Sequence, residues 1–255
     1  MITFILFLTS SCVTKNHLTY LRFSDSSEAI SCEAGDLLKT VTPSAYKVMP
    51  HDNLYIRVIT PDPQWSDLFN SMPVGMGGTL TEESAGLFGH SVDESGMIEI
   101  PFVGKVVVGG RTLSEIKVEL DSIFKGYVTD AAITIRLVNN FVSIIGEVRL
   151  PGRYPIMRDR INVLEALSMA GDMTTFGNRQ RLKLIRPSPD GQIIKDFSLA
   201  DRSIFSSEFY YIMPNDIIYV LPMKGRAFEV NSTIWTLLLS TITSTLGVIA
   251  FFRTL

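Results

Sequence analysis

Residues 141–171, FVSIIGEVRLPGRYPIMRDRINVLEALSMAG, decide the fold of this chain because they predict strands, a turn and a capped helix in succession. The segment FVSIIGEV is rich in β-branched residues and predicts a strand, and PGRYPI predicts a turn with a second, short strand. Asn162 stands at the N-cap of the helix VLEALSMAG, with Glu165 three residues later as in a capping box, and Gly171 supplies the C′ position. Two strands and one helix therefore open a compact unit.

The residues after this helix complete the unit with three more strands. RLKLIRP and GQIIKDFSL form a predicted hairpin around Asp190-Gly191, and YYIMPNDIIYVLP predicts the last strand. The order β-β-α-β-β-β with one central helix is that of a β-grasp fold, which is an α+β architecture. We therefore assign residues 139–222 to one β-grasp domain.

A smaller α+β unit precedes it, at residues 46–138. YKVMPHDNLYIRVI predicts two short strands joined by a tight turn, and residues 61–92 are a Gly- and Pro-rich loop with a short helix around residues 65–70. MIEIPFVGKVVV predicts a hairpin. Thr112 caps the amphipathic helix LSEIKVELDSIFKGY, with Glu115 at the capping-box position, and AAITIRLV is a further strand.

One short pattern occurs in both units. Residues 48–56 read VMPHDNLYI and residues 212–220 read IMPNDIIYV, so that four positions recur in register: Met49 and Met213, Pro50 and Pro214, Asp52 and Asp216, Tyr55 and Tyr219. Proline fixes φ for a turn, and an aspartate side chain can bond the backbone near it. The favoured interpretation is one turn used twice to lead into a strand.

The N-terminal segment has the character of an export signal. Residues 1–11, MITFILFLTSS, are an apolar run that ends in small residues, and Cys12 follows directly. This arrangement resembles a lipoprotein signal, in which Cys12 is acylated and becomes the mature N-terminus; an ordinary signal followed by a free or buried cysteine is the alternative. Residues 12–45 then form a mostly irregular tether. Cys32 is left unpaired by acylation of Cys12, or forms a disulfide with it.

The C-terminal segment is a candidate transmembrane helix, at residues 233–253. Residues 234–252 contain no charge, and a helix of 19 residues is about 30 Å long, close to the thickness of a bilayer core. Four small or hydroxyl residues share one helical face by their spacing: Thr236, Ser240, Thr243 and Gly247. This stripe either packs against other helices or faces water in a lumen formed by several copies.

These features together resemble the outer-membrane polysaccharide export proteins. The turn at 46–58, the run VDESGMIEIPFVGKVVVGGRTLSEIKVEL and the GEVRLPGRYPI–helix–AGD sequence occur in that order over residues 46–222. The family pattern has Gly where His51 and Asn215 stand here, and both residues tolerate the left-handed conformation that such a turn needs.

The resemblance implies a polysaccharide export domain followed by a soluble-ligand-binding β-grasp domain, in an outer-membrane lipoprotein whose soluble domains lie in the periplasm. It also implies a homo-oligomeric ring that conducts polysaccharide, with membrane lipid and an inner-membrane polysaccharide co-polymerase as further partners. The single β-grasp unit predicts a short ring.

Composition and motifs argue against other classes of protein. The chain has 23 Lys and Arg against 26 Asp and Glu, without a basic cluster, so no nucleic-acid partner is expected. No familiar catalytic, nucleotide-binding or metal-ligand spacing occurs, and we expect neither an enzyme nor a cofactor. The carboxylates of Asp93, Glu94 and Glu99 are read as part of a turn before a hairpin. A glycan- or partner-binding module without a pore and a structural envelope lipoprotein are the competing functions.

Overall fold

The computed structural model describes residues 19–21, 40–70, 89–128, 130–138, 140–223 and 225–254, with the side chains of 225–236 and 254 excluded. Within its described residues, the first unit contains five strands and two helices. They are β1 (Asn53–Ile59), α1 (Pro63–Phe69), β2 (His90–Ser91), β3 (Met97–Ile100), β4 (Gly104–Val107), α2 (Leu113–Phe124) and β5 (Ala132–Leu137). The predicted short helix and hairpin are therefore confirmed, with α1 beginning two residues before the predicted start.

The first unit is built around β1. This strand pairs antiparallel with β2 on one side and β5 on the other, and β3 and β4 form a separate antiparallel hairpin. Alternate residues of β1, beginning with Leu54, are buried, as expected for a strand with one face on the core. Helix α2 covers this core with residues four apart: Ile116, Leu120 and Phe124 are fully buried.

The predicted capping box starts α2. The Thr112 hydroxyl accepts a hydrogen bond from the Glu115 N–H, and the Glu115 carboxylate accepts one from the Thr112 N–H. These bonds satisfy donors that would otherwise lack a partner in the first turn. The bond from the Thr112 N–H to the carboxylate also lowers the pKa of the Glu115 carboxyl.

The second unit contains seven strands and one α-helix. They are β6 (Phe141–Gly146), β7 (Gly152–Pro155), β8 (Ile161–Asn162), α3 (Val163–Met169), β9 (Gly177–Ser188), β10 (Gly191–Phe197), β11 (Tyr211–Ile212) and β12 (Ile217–Pro222), with a 3-10 helix at Arg202–Ser206 between β10 and β11. The predicted Asn162–Glu165 capping box is confirmed at the start of α3. The structure contains two short strands in addition to the five predicted ones. These are β8 and β11, which pair with each other.

Five strands of the second unit form one sheet in the order β10-β9-β12-β6-β7. The β12–β6 contact is parallel and the other contacts are antiparallel, so the last strand of the unit lies beside its first. Helix α3 buries Val163, Ala166 and Leu167 against the inner side chains of this sheet. Sheets and helices occur together in both units, and the predicted α+β class is confirmed.

Part of the predicted tether lies on the second unit. The Leu21 N–H donates to the Leu199 carbonyl at 2.9 Å, and the Val41 N–H donates to the Phe205 carbonyl at 3.2 Å. The Tyr20 hydroxyl donates to the Asp172 carboxylate at 2.5 Å, and burial raises the pKa of Tyr20. The described tether residues 19–21 and 40–45 are thus neither helix nor strand, but long-range contacts fix their position.

The C-terminal helix α4, Gly225–Thr254, is longer than the predicted 233–253. Within the part of the chain that the structure describes, no helix combines the length and the apolar character that crossing a membrane requires. The predicted transmembrane helix is therefore not supported, although the helix itself is present. Five of the six residues from Ser240 to Thr245 carry hydroxyl groups, and they interrupt the apolar run on which that prediction depended.

Candidate functional site

The repeated turn has the same geometry in both units. The Asp52 carboxylate accepts a hydrogen bond from the Met49 N–H, and the Asp216 carboxylate accepts one from the Met213 N–H, each at 2.8 Å. The residue before each aspartate is left-handed, with φ of 68° at His51 and 63° at Asn215. The predicted turn chemistry is confirmed, including the positive φ at the two positions where the family pattern has glycine.

Each turn is also fastened to a neighbouring segment. The His51 N–H donates to the Val92 carbonyl at 2.9 Å, and the Val92 N–H donates to the Asp52 carbonyl at 2.8 Å. In the second unit, the Asn215 N–H donates to the Phe141 carbonyl at 2.7 Å, and the Ser143 N–H donates to the Asp216 carbonyl at 2.9 Å. The sequence repeat therefore encodes a repeated turn-to-strand connection.

The two aspartates differ in the side chain that they bind. The Tyr46 hydroxyl donates to Asp52 Oδ2 at 2.7 Å, and burial next to this carboxylate raises the pKa of Tyr46. Arg186 binds Asp216 through two hydrogen bonds of 2.9 and 2.7 Å, and its guanidinium also donates to the Tyr211 carbonyl. Both carboxylates are almost fully buried. These contacts hold the fold together and leave the aspartates inaccessible to a ligand.

A cleft of about 200 Å³ lies between the two units. Its walls combine aromatic, apolar and charged side chains, including Tyr46, Leu137, Ile156, Asp159, Arg160, Glu208 and Tyr211. The Asn140 amide at this cleft donates to the Ile156 carbonyl at 2.9 Å, whereas its oxygen is buried without a hydrogen-bond partner. The cleft offers hydrogen-bonding groups and apolar surface to a small polar molecule.

An aromatic cluster on the first unit was not predicted as a site. Trp65, Phe102 and Tyr127 are 41%, 66% and 48% exposed, and their rings surround Phe69, which is 3% exposed. The three ring centroids lie 5.9, 6.3 and 6.2 Å from that of Phe69. We call Trp65, Phe102 and Tyr127 the aromatic platform. Its members come from α1, the β3–β4 turn and the end of α2, so no local pattern joins them.

One sequence feature could have indicated this surface. The β3–β4 turn, IPFVG, has a Pro at its second position, and the Val103 N–H donates to the Ile100 carbonyl at 3.2 Å. Glycine or asparagine is expected at the third position of such a turn, where φ is positive. Phe102 occupies it with φ of 64°.

Of the three carboxylates predicted to belong to a turn here, Asp93 accepts hydrogen bonds within the turn, whereas Glu99 lies in β3. Asp93 Oδ1 accepts hydrogen bonds from the Ser95 hydroxyl at 2.6 Å and the Met97 N–H at 2.8 Å, and these bonds lower the pKa of Asp93. His90 lies nearby, with its Nδ1 at 2.9 Å from the Glu99 carbonyl oxygen. Among the described residues, no three His, Cys, Asp or Glu side chains are grouped as metal ligands.

The predicted sites at the two ends are only partly described. Cys12 and Cys32 lie outside the described residues, and Thr236 is described by its backbone alone. Along α4, the Ser240 hydroxyl donates to the Leu237 carbonyl at 2.8 Å, and the Thr243 hydroxyl lies 2.9 Å from the Leu239 carbonyl. Among the described residues, apart from the nearest residues of its own helix, no atom lies within 4 Å of the Cβ position at Gly247. The described stripe is thus exposed, with its hydroxyls bonded to the helix's own carbonyls.

The chain was compared with known proteins. Residues 40–138 match the model of the family described as "Polysaccharide biosynthesis/export protein". A relative, the "EPS I polysaccharide export outer membrane protein EpsA" of Ralstonia nicotianae, is 30% identical over 164 residues, which cover 61% of this chain and 42% of the relative. The "Exopolysaccharide production protein ExoF" of Rhizobium meliloti is 31% identical over 108 residues, covering 41% and 25%.

The chain thus spans less than half the length of these curated relatives. The family match covers the first unit from the turn at Asp52 through β5, and the longer alignment to the Ralstonia protein exceeds the length of that unit. The relative's name also agrees with the predicted outer-membrane localisation. The predicted resemblance is confirmed: residues 40–138 are similar to the polysaccharide biosynthesis/export protein family.

Proposed function

We propose that this chain is an outer-membrane subunit of a capsular polysaccharide or exopolysaccharide export machine, and that several copies form a ring-shaped conduit. The observation that carries the proposal is the family match at residues 40–138, which spans the described core of the first unit. The names of the Ralstonia and Rhizobium relatives refer to polysaccharide export and production.

In this proposal the two units have separate roles. Residues 46–138 form the export domain, and residues 139–222 form a β-grasp domain that contacts the growing ring or an envelope partner. Support for the second assignment comes from the five-stranded sheet whose last strand lies parallel to its first, with α3 packed on one face. The partner expected on the inner-membrane side is a polysaccharide co-polymerase. The copies contact one another through both units.

Attachment to the outer membrane is proposed to occur through an acyl chain on Cys12, with residues 1–11 removed. Seven residues separate Cys12 from Tyr20, whose hydroxyl is bonded to Asp172 of the second unit. Eight extended residue steps span at most about 29 Å. An acylated Cys12 would therefore keep the second unit near the inner surface of the outer membrane, with both units in the periplasm. Intact-mass spectrometry tests this attachment through loss of residues 1–11 and gain of lipid mass.

The helices α4 of neighbouring copies are proposed to stand side by side around the conduit. Thr236, Ser240, Thr243 and Gly247 would then border the opening, with Leu238 and Ile249 on the outer side of the helix. The described hydroxyls donate to their own helix, so their oxygens remain acceptors for a sugar hydroxyl. A neutral lining of this kind places no fixed charge in the path of a polymer.

Secretion measurements test the proposed function. Deletion of the gene is expected to abolish extracellular polysaccharide, and the full chain supplied in trans is expected to restore it. Purified full-length protein should sediment as a closed oligomer, and imaging should show a ring. Normal secretion in the deletion strain, or a strictly monomeric protein at all concentrations, would overturn the proposal.

Cysteine scanning tests the helix arrangement. Single cysteines at 236, 240, 243 and 247 should react with a water-soluble thiol reagent in the assembled protein, whereas cysteines at 238, 242, 246 and 249 should not. Labelling of the second set alone would reverse the assignment of helix faces. The absence of labelling in both sets would indicate dry helix packing.

The cleft between the units favours one alternative function, a glycan- or partner-binding module without a pore. The unpartnered Asn140 oxygen and the mixed wall of the cleft are the observations in its favour. Such a module would bind its ligand as a monomer, so the sedimentation experiment distinguishes the two functions.

A further inference from the structure

We propose that the aromatic platform of Trp65, Phe102 and Tyr127 is a stacking site for sugar residues of the exported polysaccharide. This inference rests on the proposed function, because that function brings a polysaccharide to the chain. The site lies on the export domain and adds a specific contact surface to the proposed conduit.

The backbone of Phe102 is the first support for a binding role. A φ of 64° is unfavourable for a bulky side chain, and a turn with Pro101 at its second position would form more easily with glycine at the next residue. The Phe102 ring is 66% exposed, so burial does little to offset the strain. Strained residues that gain little from packing are characteristic of functional sites.

The platform rests on a rigid base, which is the second support. The Asn70 side chain bonds both the N–H and the carbonyl of Val58, at 2.9 and 2.7 Å, and so ties the end of α1 to β1. Phe69 meets the fully buried Phe124 edge to face, with centroids 5.0 Å apart. Trp65 stacks on Phe69 at an interplanar angle of 18°. A ligand would therefore meet rings that are already ordered, which lowers the entropic cost of binding.

The size of the platform favours a sugar over a protein partner. Aromatic side chains present about 150–250 Å² each, so three rings exposed by about half offer roughly 300 Å². A stable protein interface buries about 800 Å² on each partner, well beyond this patch. The centroids of the three rings all lie within 6.3 Å of the Phe69 centroid, so the rings are grouped around one buried side chain, within reach of a short stretch of polymer.

The aromatic platform and its polar neighbours match the two kinds of group on a sugar ring, which are apolar C–H patches and polar hydroxyls. A pyranose has flat patches of C–H groups, which pack on aromatic faces, and a rim of hydroxyls that need hydrogen-bond partners. The exposed Gln64 follows Pro63 at the start of α1 beside Trp65, and the exposed Lys125 is two residues from Tyr127. The indole N–H and the phenol hydroxyl add polar groups at the edges of the platform.

Fluorescence titration of the full-length protein tests the inference. The chain has two tryptophans, so Trp235→Phe leaves Trp65 as the sole reporter. The probes are cellohexaose, maltohexaose and hexagalacturonate. At least one is expected to change the Trp65 emission saturably, and Phe102→Gly is expected to weaken that binding at least tenfold while the melting temperature stays equal or rises. Met157→Ala, at an 89% exposed residue of the second unit, is the matched control and should bind as the parent does.

Three results would overturn the inference. The first is an unchanged Trp65 emission with all three probes, and the second is equal sugar binding by the Phe102→Gly variant. The third is an emission change that phosphatidylethanolamine–phosphatidylglycerol vesicles or self-association cause and sugars do not. Polysaccharide secretion by the deletion strain, measured with the chain supplied in trans, separates this inference from the proposed function. Loss of complementation by the unmodified chain would reject the function, whereas sugar binding that is insensitive to Phe102→Gly in a chain that restores secretion would reject only the platform.

Discussion

At the scale of single residues, the two repeated aspartates occupy the same kind of turn, but their removal should lower the free energy of unfolding by different amounts. Asp216 neutralises the buried guanidinium of Arg186, whereas Asp52 receives a neutral hydroxyl from Tyr46. Removing one partner of a buried ion pair leaves an uncompensated charge, which costs about 3–5 kcal/mol. Removing the Asp52 carboxylate instead leaves the neutral Tyr46 hydroxyl without that acceptor, which costs about 1–3 kcal/mol.

The first prediction follows from this difference. Asp216→Asn should lower the free energy of unfolding by about 3–5 kcal/mol, and Asp52→Asn should lower it by about 1–3 kcal/mol. Urea unfolding of both variants, followed by far-UV circular dichroism, measures the two losses. Equal losses would show that the shared turn bond to Met49 or Met213 dominates and that Arg186 contributes little.

Gly146 is the residue at which the parallel strand pair depends on the absence of a side chain. Its φ is 92°, and a Cβ there would lie 2.2 Å from the Val220 carbonyl oxygen, whereas a Cβ at Gly110, with φ of 75°, would meet no atom within 4 Å. Gly110→Ala should therefore cost only the left-handed strain, about 1–2 kcal/mol. Gly146→Ala should cost more, because β6 and β12 must separate there.

Thermal unfolding of the two alanine variants checks this second prediction. Hydrogen exchange adds a local measurement, because the Glu147 N–H donates to the Val220 carbonyl at 3.1 Å and should exchange faster in Gly146→Ala. A Gly146→Ala protein as stable as Gly110→Ala would mean that the parallel pair adjusts without loss.

At the scale of elements, the β2–β3 region should make stability depend on pH. Burial lowers the pKa of His90 below its ordinary value of 6.5, and the neutral ring donates its Nδ1–H to the Glu99 carbonyl. The unfolded chain therefore takes up a proton at a higher pH than the folded chain. The stabilisation is fully present above pH 6.5 and is lost as the pH falls through the lowered pKa of the folded state.

The third prediction is that His90→Gln removes this dependence. Urea unfolding between pH 8 and pH 5 should show a falling free energy of unfolding for the parent and a flatter profile for the variant. Asp93 and Glu115 also have lowered pKa values, but their ordinary values are 3.8 and 4.5, so they act in a more acidic range. Parallel profiles for parent and variant would contradict the prediction.

The elements also show which parts of the fold the sequence could predict. The capping boxes at Thr112 and Asn162 were predicted because all their atoms belong to four consecutive residues. The docking of Tyr20 on Asp172 was missed because the two residues are 152 positions apart. The pairing of β8 with β11 was also missed. Each of these strands is only two residues long, which is too short to show a period. Sequence patterns thus predicted local hydrogen bonds better than distant pairings.

The candidate sites show the same division. The turn at Asp52 and Asp216 was read from spacing alone, because proline and aspartate determine a turn locally. The aromatic platform was not, because its rings come from residues 65, 102 and 127 and meet only after the unit folds. The apolar run near the C-terminus predicted a helix correctly, but run length alone did not establish a membrane span.

At the scale of the whole molecule, two folded units are followed by a helix with an exposed surface. Just before this helix, the Met223 N–H donates to the Phe176 carbonyl at 2.8 Å. Every described side chain from 237 to 253 is exposed. The described core residues of both units all precede α4. The stability of the units should therefore not depend on this helix, whereas the proposed conduit should.

The last prediction concerns a chain that ends at Met223. Its free energy of unfolding should differ from that of the full chain by less than about 1 kcal/mol, which corresponds to a shift of the melting temperature below about 4 °C. Because the copies are proposed to contact one another through both units, the shortened protein should still self-associate in sedimentation experiments. In the deletion strain, however, it should restore no extracellular polysaccharide, because the helices proposed to border the opening are missing. An unfolded truncated chain would show that α4 belongs to the folded core, and restored secretion would show that polysaccharide passes without it.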